Sequence, residues 1–308
     1  MTDPFPRSRT STLLLGIAAA LLLGDAVQAA PKETQYVAAD GTQYAFRAYG
    51  PADGPTLVLS QRFRGNMDDW DPAFIDALDD THRVIVFNAS GISSSTGEVP
   101  QTIDGMADDM ARFMRAAGFE DADVLGWSMG GFVVHALAMR HPDLVDRLIL
   151  VGTGPAASPE TPAPVDGVFE VATTPEYGED EREYLFFADA PSSLARADAS
   201  IRRIDAARDT ESEPASTLEA MQVQAGAILH WLGEDPDGFS GLSSIQSPTL
   251  IVSGDRDPFF PAMAGVLLYR EIPNARLAIY PMAGHGPHHQ WPEHVASLIR
   301  DFVADTAE

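Results

Sequence analysis

The chain has 308 residues, a 45% apolar fraction and a formal net charge of −25 at pH 7. That is enough for one large domain or two modest ones with a sizeable core, and the charge argues against nucleic acid or anionic membranes as partners, because phosphates would meet like charge. The absence of cysteine excludes disulfides, thiolate nucleophiles and thiolate metal sites.

At the N-terminus, Arg7 and Arg9 precede an apolar run over residues 13–23, and "GDAVQAAPKE" follows. A basic start, a short apolar stretch and a small-residue exit form the pattern of a secretory leader. Val27 and Ala29 suit the −3 and −1 positions. Residues 1–29 are therefore expected to be a signal peptide, and residues 30–308 the mature, secreted or periplasmic domain. The run is short of the ~20 residues that span a bilayer, and no cysteine follows to carry a lipid. No stable membrane association is expected after cleavage; an uncleaved anchor is the alternative.

Residues 34–50 read as a hairpin, with alternating runs on either side of the favoured turn pair Asp40-Gly41. Residues 56–61 and 83–88 are continuous apolar runs, as in strands buried on both faces. Between them, residues 71–78 suit a helix with Pro72 in its first turn. Next, Ile103, Met106, Met110, Phe113 and Met114 share one helical face, with Thr102 as N-cap and Gly118 as stop. The methionines at this spacing are core filling. "DVLGW" is a third buried strand, and the helix after it ends where Pro142 cannot continue it. Further strands are expected over 147–154, 249–255 and 275–281, with helices over 262–272 and 293–305. This alternation implies a parallel sheet covered on both faces. Residues 156–246 break the rhythm. They lack β-branched runs, carry helical patterns such as "SSLARADASIRRIDAAR" and "TLEAMQVQAGAILHWLG", and are too long for a plain loop. A helical insertion over the sheet is expected there.

The chemistry centres on Gly126-Trp127-Ser128-Met129-Gly130, where the strand "DVLGW" meets a helix. A serine hydroxyl is a weak nucleophile and needs a base, a group that orients the base, and donors for the oxyanion. A sharp strand-to-helix turn exposes the serine oxygen at the carboxyl edge of the sheet, and the two glycines leave room for it. The Met129 N–H, free at a helix start, is one candidate oxyanion donor. "SGDRDPFFP" and "GHGPHHQWPE" each follow a strand and so reach the same edge. Asp255 and Asp257 compete as the orienting acid, and His285 is the candidate base. The bland alternatives are a small residue at a helix start and a solvated loop histidine. The chain order serine, acid, histidine favours catalysis.

These motifs resemble those of the α/β-hydrolase fold superfamily, in its serine esterase and cofactor-free haloperoxidase-like branch, over roughly residues 34–303. The resemblance implies an α/β fold: a mostly parallel eight-stranded sheet, helices on both faces and a helical cap insertion over about 156–246. In the family pattern the acid stands three residues after a glycine and four before a proline. Gly254, Asp257 and Pro261 fit that spacing; Asp255 does not. "FNASGISSSTGE" resembles the family loop after the fourth strand. The loop after the third strand departs from the pattern, with Gln61-Arg62 in place of His-Gly. By alignment Phe63 supplies the second oxyanion N–H, and Arg62 would adopt a positive φ less cheaply than glycine.

The implied activity is hydrolysis of a carboxylic ester or related small-molecule acyl compound. Ser128 attacks, His285 carries the proton, Asp257 holds the imidazole, and the Phe63 and Met129 N–H groups bind the oxyanion. Activity is expected to rise with pH as His285 loses its proton. The same triad serves a perhydrolase, a cofactor-free haloperoxidase or an acyltransferase. A non-catalytic binding protein on a hydrolase scaffold is the reading from another class. No cofactor and no metal are expected: His285, His288 and His289 form HxxHH, but no acidic ligand follows at metal spacing, and a metal on His285 would block the base. His135, His141 and His230 read as structural. Arg62 and Arg64 either attract a substrate carboxylate or pair with Asp68, Asp69 or Asp71. Trp127, Met129 and Arg62 are expected to line the pocket. Phe186, Phe187 and Trp231 either form an apolar lid or pack the insertion on the sheet.

Overall fold

The computed structural model describes residues 33–156, 160–175, 178–208, 212–233 and 239–306; the signal peptide expected at 1–29 lies outside them. The hairpin forms as β1 (Gln35–Ala39) and β2 (Thr42–Tyr49), with Asp40 and Gly41 both at positive φ in the turn. Six further strands follow: β3 (Thr56–Ser60), β4 (Arg83–Phe87), β5 (Ala122–Trp127), β6 (Val145–Val151), β7 (Thr249–Gly254) and β8 (Ala275–Tyr280). They join one eight-stranded sheet in the order β1-β2-β4-β3-β5-β6-β7-β8. β2 pairs antiparallel with β1 and β4; the remaining pairs are parallel. β5 and β7 are buried along their whole lengths, which is why they read as unbroken apolar runs rather than alternating ones.

The framework helices are α1 (Pro72–Asp79), α2 (Ile103–Ala117) and α3 (Met129–Arg140). Thr102 accepts from Gly105 N–H at the start of α2, and Gly118 ends it at φ 73°, as its sequence predicts. β6 ends at Val151, three residues before its apolar run does. Gly152 turns away at φ 51°, and a side chain there would meet the His285 carbonyl.

Between β6 and β7 the described residues form α4 (Val168–Ala172), α5 (Glu179–Phe186), α6 (Pro191–Arg208) and α7 (Leu218–Gly233). The remaining helices are α8 (Ala262–Glu271), α9 (Pro287–Gln290) and α10 (Pro292–Asp305). The insertion is tied down by three aspartates of one core segment. Asp68 accepts from the Glu213 backbone N–H, and Asp69 pairs with Arg208 of α6. Asp71, fully buried, accepts from Arg203 Nε and Nη2 at 2.8 and 2.6 Å and from Ser200 Oγ at 2.5 Å, and also caps α1 through the Ala73 N–H. A buried carboxylate is tolerated only when its lone pairs are all taken. Asp71→Ala is accordingly expected to destabilise the protein by about 3 kcal/mol, read from urea unfolding, whereas a surface ion pair such as Arg276–Asp305 should change stability by less than about 1 kcal/mol when broken.

Candidate active site

β5 delivers Ser128 to the carboxyl edge of the sheet. The chain reverses there from strand to helix, which forces Ser128 to φ 58°, ψ −120°, a backbone region L-residues seldom occupy. The turn is held by the Ser128 N–H donating to Val151 C=O, and by Ser128 C=O accepting from Gly131 N–H and Thr153 Oγ1. Space is the second requirement. A Cβ on Gly126 would lie 2.2 Å from the Gly130 carbonyl oxygen, and one on Gly130 would lie 2.2 Å from the Ser60 carbonyl oxygen. Both obstacles are backbone, so neither can yield.

The loop after β7 carries both aspartates, and the structure separates them. Asp255 lies partly exposed beside Arg256. Asp257 is buried; its Oδ1 accepts from the Phe259 and Phe260 N–H groups at 2.8 and 3.0 Å, leaving Oδ2 at 2.9 Å from His285 Nδ1. His285, 1% exposed, comes from the loop after β8, and its carbonyl accepts from Trp127 Nε1 at 2.9 Å. Phe259, Phe260 and Phe186 surround the imidazole. Ser128 and His285 line one cavity of about 270 Å³ with Arg62, Phe63 and Met129.

The wall of that cavity is mostly aromatic and aliphatic, with Arg62, Glu170 and Thr173 as its polar members beside Ser128 and His285. Phe63, Phe132, Phe169, Phe186, Phe259 and Phe260 line it, with Leu185, Ile228 and Leu229 from the insertion. Two residues that line this cavity have backbone N–H groups without a protein acceptor among the described residues. Met129 N–H opens α3, and Phe63 N–H sits in the loop after β3.

Several expectations change here. Trp127 does not line the cavity. Side chains alternate across a strand, and since Gly126 faces α3, Trp127 points the opposite way, fully buried against Trp70, Phe186, His288 and His289. Positive φ falls on Arg64, at 62°, and not on Arg62. Arg62 does line the cavity, but its guanidinium is engaged: Nη2 contacts Asp69 at 2.9 Å, Nη1 donates to Phe63 C=O at 2.8 Å, and the group lies over the Phe186 and Trp127 rings. Arg64 reaches the carbonyls of Ala172, Thr174 and Pro175 in the insertion. Of the three apolar residues expected above the site, Phe186 lines the cavity, while Phe187 is buried elsewhere and Trp231 packs on Phe132 and His135. Phe259 and Phe260 were readable as cavity walls from "PFFP", since they stand two and three residues after Asp257, which contacts His285; Ile228 and Leu229 carry no such local signal.

The other histidines are separate from this chemistry. His288 and His289 lie on α9, buried among Trp70, Phe74 and Trp127. Burial lowers the basicity of both, His289 to about 4, and holds His135 at about 3. His141 pairs with Asp108. Among the described residues no group of three His, Cys, Asp or Glu side chains is placed to hold a metal ion, and no helix is long and apolar enough to cross a membrane.

With this geometry in hand, similarity to known proteins is specific. A family profile described as alpha/beta hydrolase fold matches residues 55–292. The chain belongs to the α/β-hydrolase family, and it is a hydrolase. It is similar to a putative carbamate hydrolase RutD of Caulobacter sp. (28% identity, covering 84% of this chain and 94% of that protein). It is also similar to a pimeloyl-[acyl-carrier protein] methyl ester esterase of Aromatoleum aromaticum (34% identity, 60% of this chain and 74% of that protein). Among solved structures, an alpha/beta hydrolase fold protein from Chitinophaga pinensis superimposes with a TM-score of 0.81 at 30% identity, covering 90% of this chain and 98% of that one.

Two outcomes follow from the packing. Gly130→Ala must push α3 off the end of β3 and is expected to cost about 3 kcal/mol, visible as a lowered melting temperature together with lost activity. Second, unfolding exposes His289, whose free imidazole binds a proton from about pH 6.5 downward, while the native group stays neutral to about 4. The unfolded state then binds more protons than the native one, so stability falls as pH drops through that interval. His289→Gln should flatten the slope of melting temperature against pH between 6.5 and 4.

Proposed function

We propose that the protein is a serine esterase for uncharged esters with an apolar acyl group, acting through a covalent acyl-enzyme. The observation that carries this reading is the convergence of a strained serine, a histidine bonded to a buried aspartate and two free N–H groups on one apolar cavity. Ser128 attacks the acyl carbon while His285 takes its proton. Asp257 fixes the imidazole through Nδ1 and stabilises its charged form. The Phe63 and Met129 N–H groups receive the negative charge that develops on the carbonyl oxygen. His285 returns the proton to the leaving alcohol, and water, activated by the same histidine, hydrolyses the ester on Ser128. The names of the relatives, a methyl ester esterase and a carbamate hydrolase, are consistent with acyl transfer to water.

The cavity sets the acyl group. A dry 150 Å³ cavity holds benzene, so this one takes a chain of about ten non-hydrogen atoms. Arg62 is engaged by Asp69, leaving it ill-suited to a substrate carboxylate, and the chain's −25 charge works against anionic substrates. Export by a leader over residues 1–29 completes the proposal and rests on their sequence; retention of the leader on protein recovered from the producing cells would count against it.

Ser128→Ala is expected to abolish both hydrolysis and labelling by a fluorophosphonate without changing the melting temperature; residual labelling would refute the assignment. Across p-nitrophenyl esters, kcat/KM should rise about fourfold per methylene until the cavity is filled near an acyl length of about ten carbons, then fall. A flat series would contradict the cavity as the acyl site.

A further inference from the structure

The loop after β3 departs from the family pattern at Gln61-Arg62, yet it must present the Phe63 N–H to the cavity. Its hydrogen bonds are distributed in a way that does this. Of the four consecutive N–H groups from Arg62 to Gly65, three are taken. Arg62 N–H donates to Gln61 Oε1 at 2.8 Å, Arg64 N–H to Gln224 Oε1 at 2.9 Å, and Gly65 N–H to Arg62 C=O at 3.0 Å. Only Phe63 N–H has no acceptor among the described residues. The third bond matters for direction: Arg62 C=O and Phe63 N–H belong to one trans peptide and point opposite ways, so anchoring the carbonyl to Gly65 turns the N–H outward.

The turn has a weak point. Its third residue, Arg64, lies at φ 62°, where glycine is at ease and arginine is strained. Such a conformation persists only where its surroundings over-determine it. Gln61 braces the turn from inside, 8% exposed, with its Nε2 donating to Asn66 C=O. Gln224, 3% exposed on α7, braces it from the insertion, 160 residues away in sequence.

We propose that Gln224, with Gln61, is a positioning residue: the insertion holds Arg64 in its left-handed conformation and thereby fixes the Phe63 N–H as an oxyanion donor. The insertion is then a structural part of the oxyanion site as well as the wall of the acyl pocket. This inference rests on the serine-esterase reading above, and the two fail differently. If that reading is wrong, Ser128→Ala retains activity; if only this inference is wrong, Ser128 remains essential and the glutamine variants either behave as wild type or lose as much rate on an Arg64→Gly background as without it.

The test uses the full chain and a p-nitrophenyl ester. Gln224→Met keeps the volume and removes the acceptor. It should lower kcat about 10- to 100-fold, a fraction of what removing an oxyanion donor costs, with KM changed less than threefold. Affinity for an alkyl trifluoromethyl ketone, which mimics the tetrahedral intermediate, should fall by the same factor as kcat/KM. Glycine needs no brace, so Gln224→Met made on an Arg64→Gly background should change kcat less than threefold relative to Arg64→Gly alone. Gln224→Glu, which keeps an acceptor oxygen, should recover most of the rate. Should Gln224→Met not fold, the same pair of measurements with Gln61→Met decides. The proposal is overturned if the methionine variants retain wild-type kcat, or if their loss is as large on the Arg64→Gly background as on the wild type.

Discussion

The site depends on one constraint, a serine held at φ 58°, ψ −120° where a strand becomes a helix within a single residue. Nothing intrinsic to serine favours that conformation, and it costs of order 1–3 kcal/mol. It survives because β5 is locked between β3 and β6 in a parallel sheet whose central strands are buried. The Ser128 N–H is itself bonded to the end of β6. Without side chains at Gly126 and Gly130, α3 can approach the ends of β3 and β5 closely enough for the turn to close. The strain and the close approach are two aspects of one arrangement, and together they put the hydroxyl and the start of α3 at the same edge.

That edge also receives the loops after β7 and β8, since parallel strands end on one side. Asp257 and His285 arrive there 28 residues apart. The bonds around them are specialised. One oxygen of Asp257 is occupied by two backbone N–H groups, so the other is directed at the imidazole. The insertion closes the site from above, anchored through Asp68, Asp69 and Asp71. These carboxylates lie just after the loop that follows β3, so the segment that shapes the loop also fixes the cover over it.

Much of this was legible in the sequence. The hairpin turn at Asp40-Gly41, the caps at Thr102 and Gly118, and the alternation of buried strands with helices all rest on local chemistry, and local chemistry is what a sequence displays. Asp257 was separable from Asp255 by its spacing to Gly254 and Pro261. The direction of Trp127 was also within reach, because a glycine facing the helix obliges its neighbour to face away. Other features were not local. The strained residue of the loop after β3 is Arg64 rather than Arg62 because the turn closes through Gly65 and is held by Gln224, from a helix whose packing no short stretch encodes. The cavity wall contributed by Ile228 and Leu229 has the same origin.

Whether acyl transfer passes through Ser128, as proposed, is read most directly from the mass of the protein during turnover. Quenching an activated ester reaction in acid within milliseconds, then digesting the protein, should give the peptide containing Ser128 heavier by the acyl group. The adduct should disappear as the ester is exhausted. An acyl adduct on a different peptide, or steady turnover through a burst phase with the Ser128 peptide unmodified, would rule out acyl transfer through Ser128.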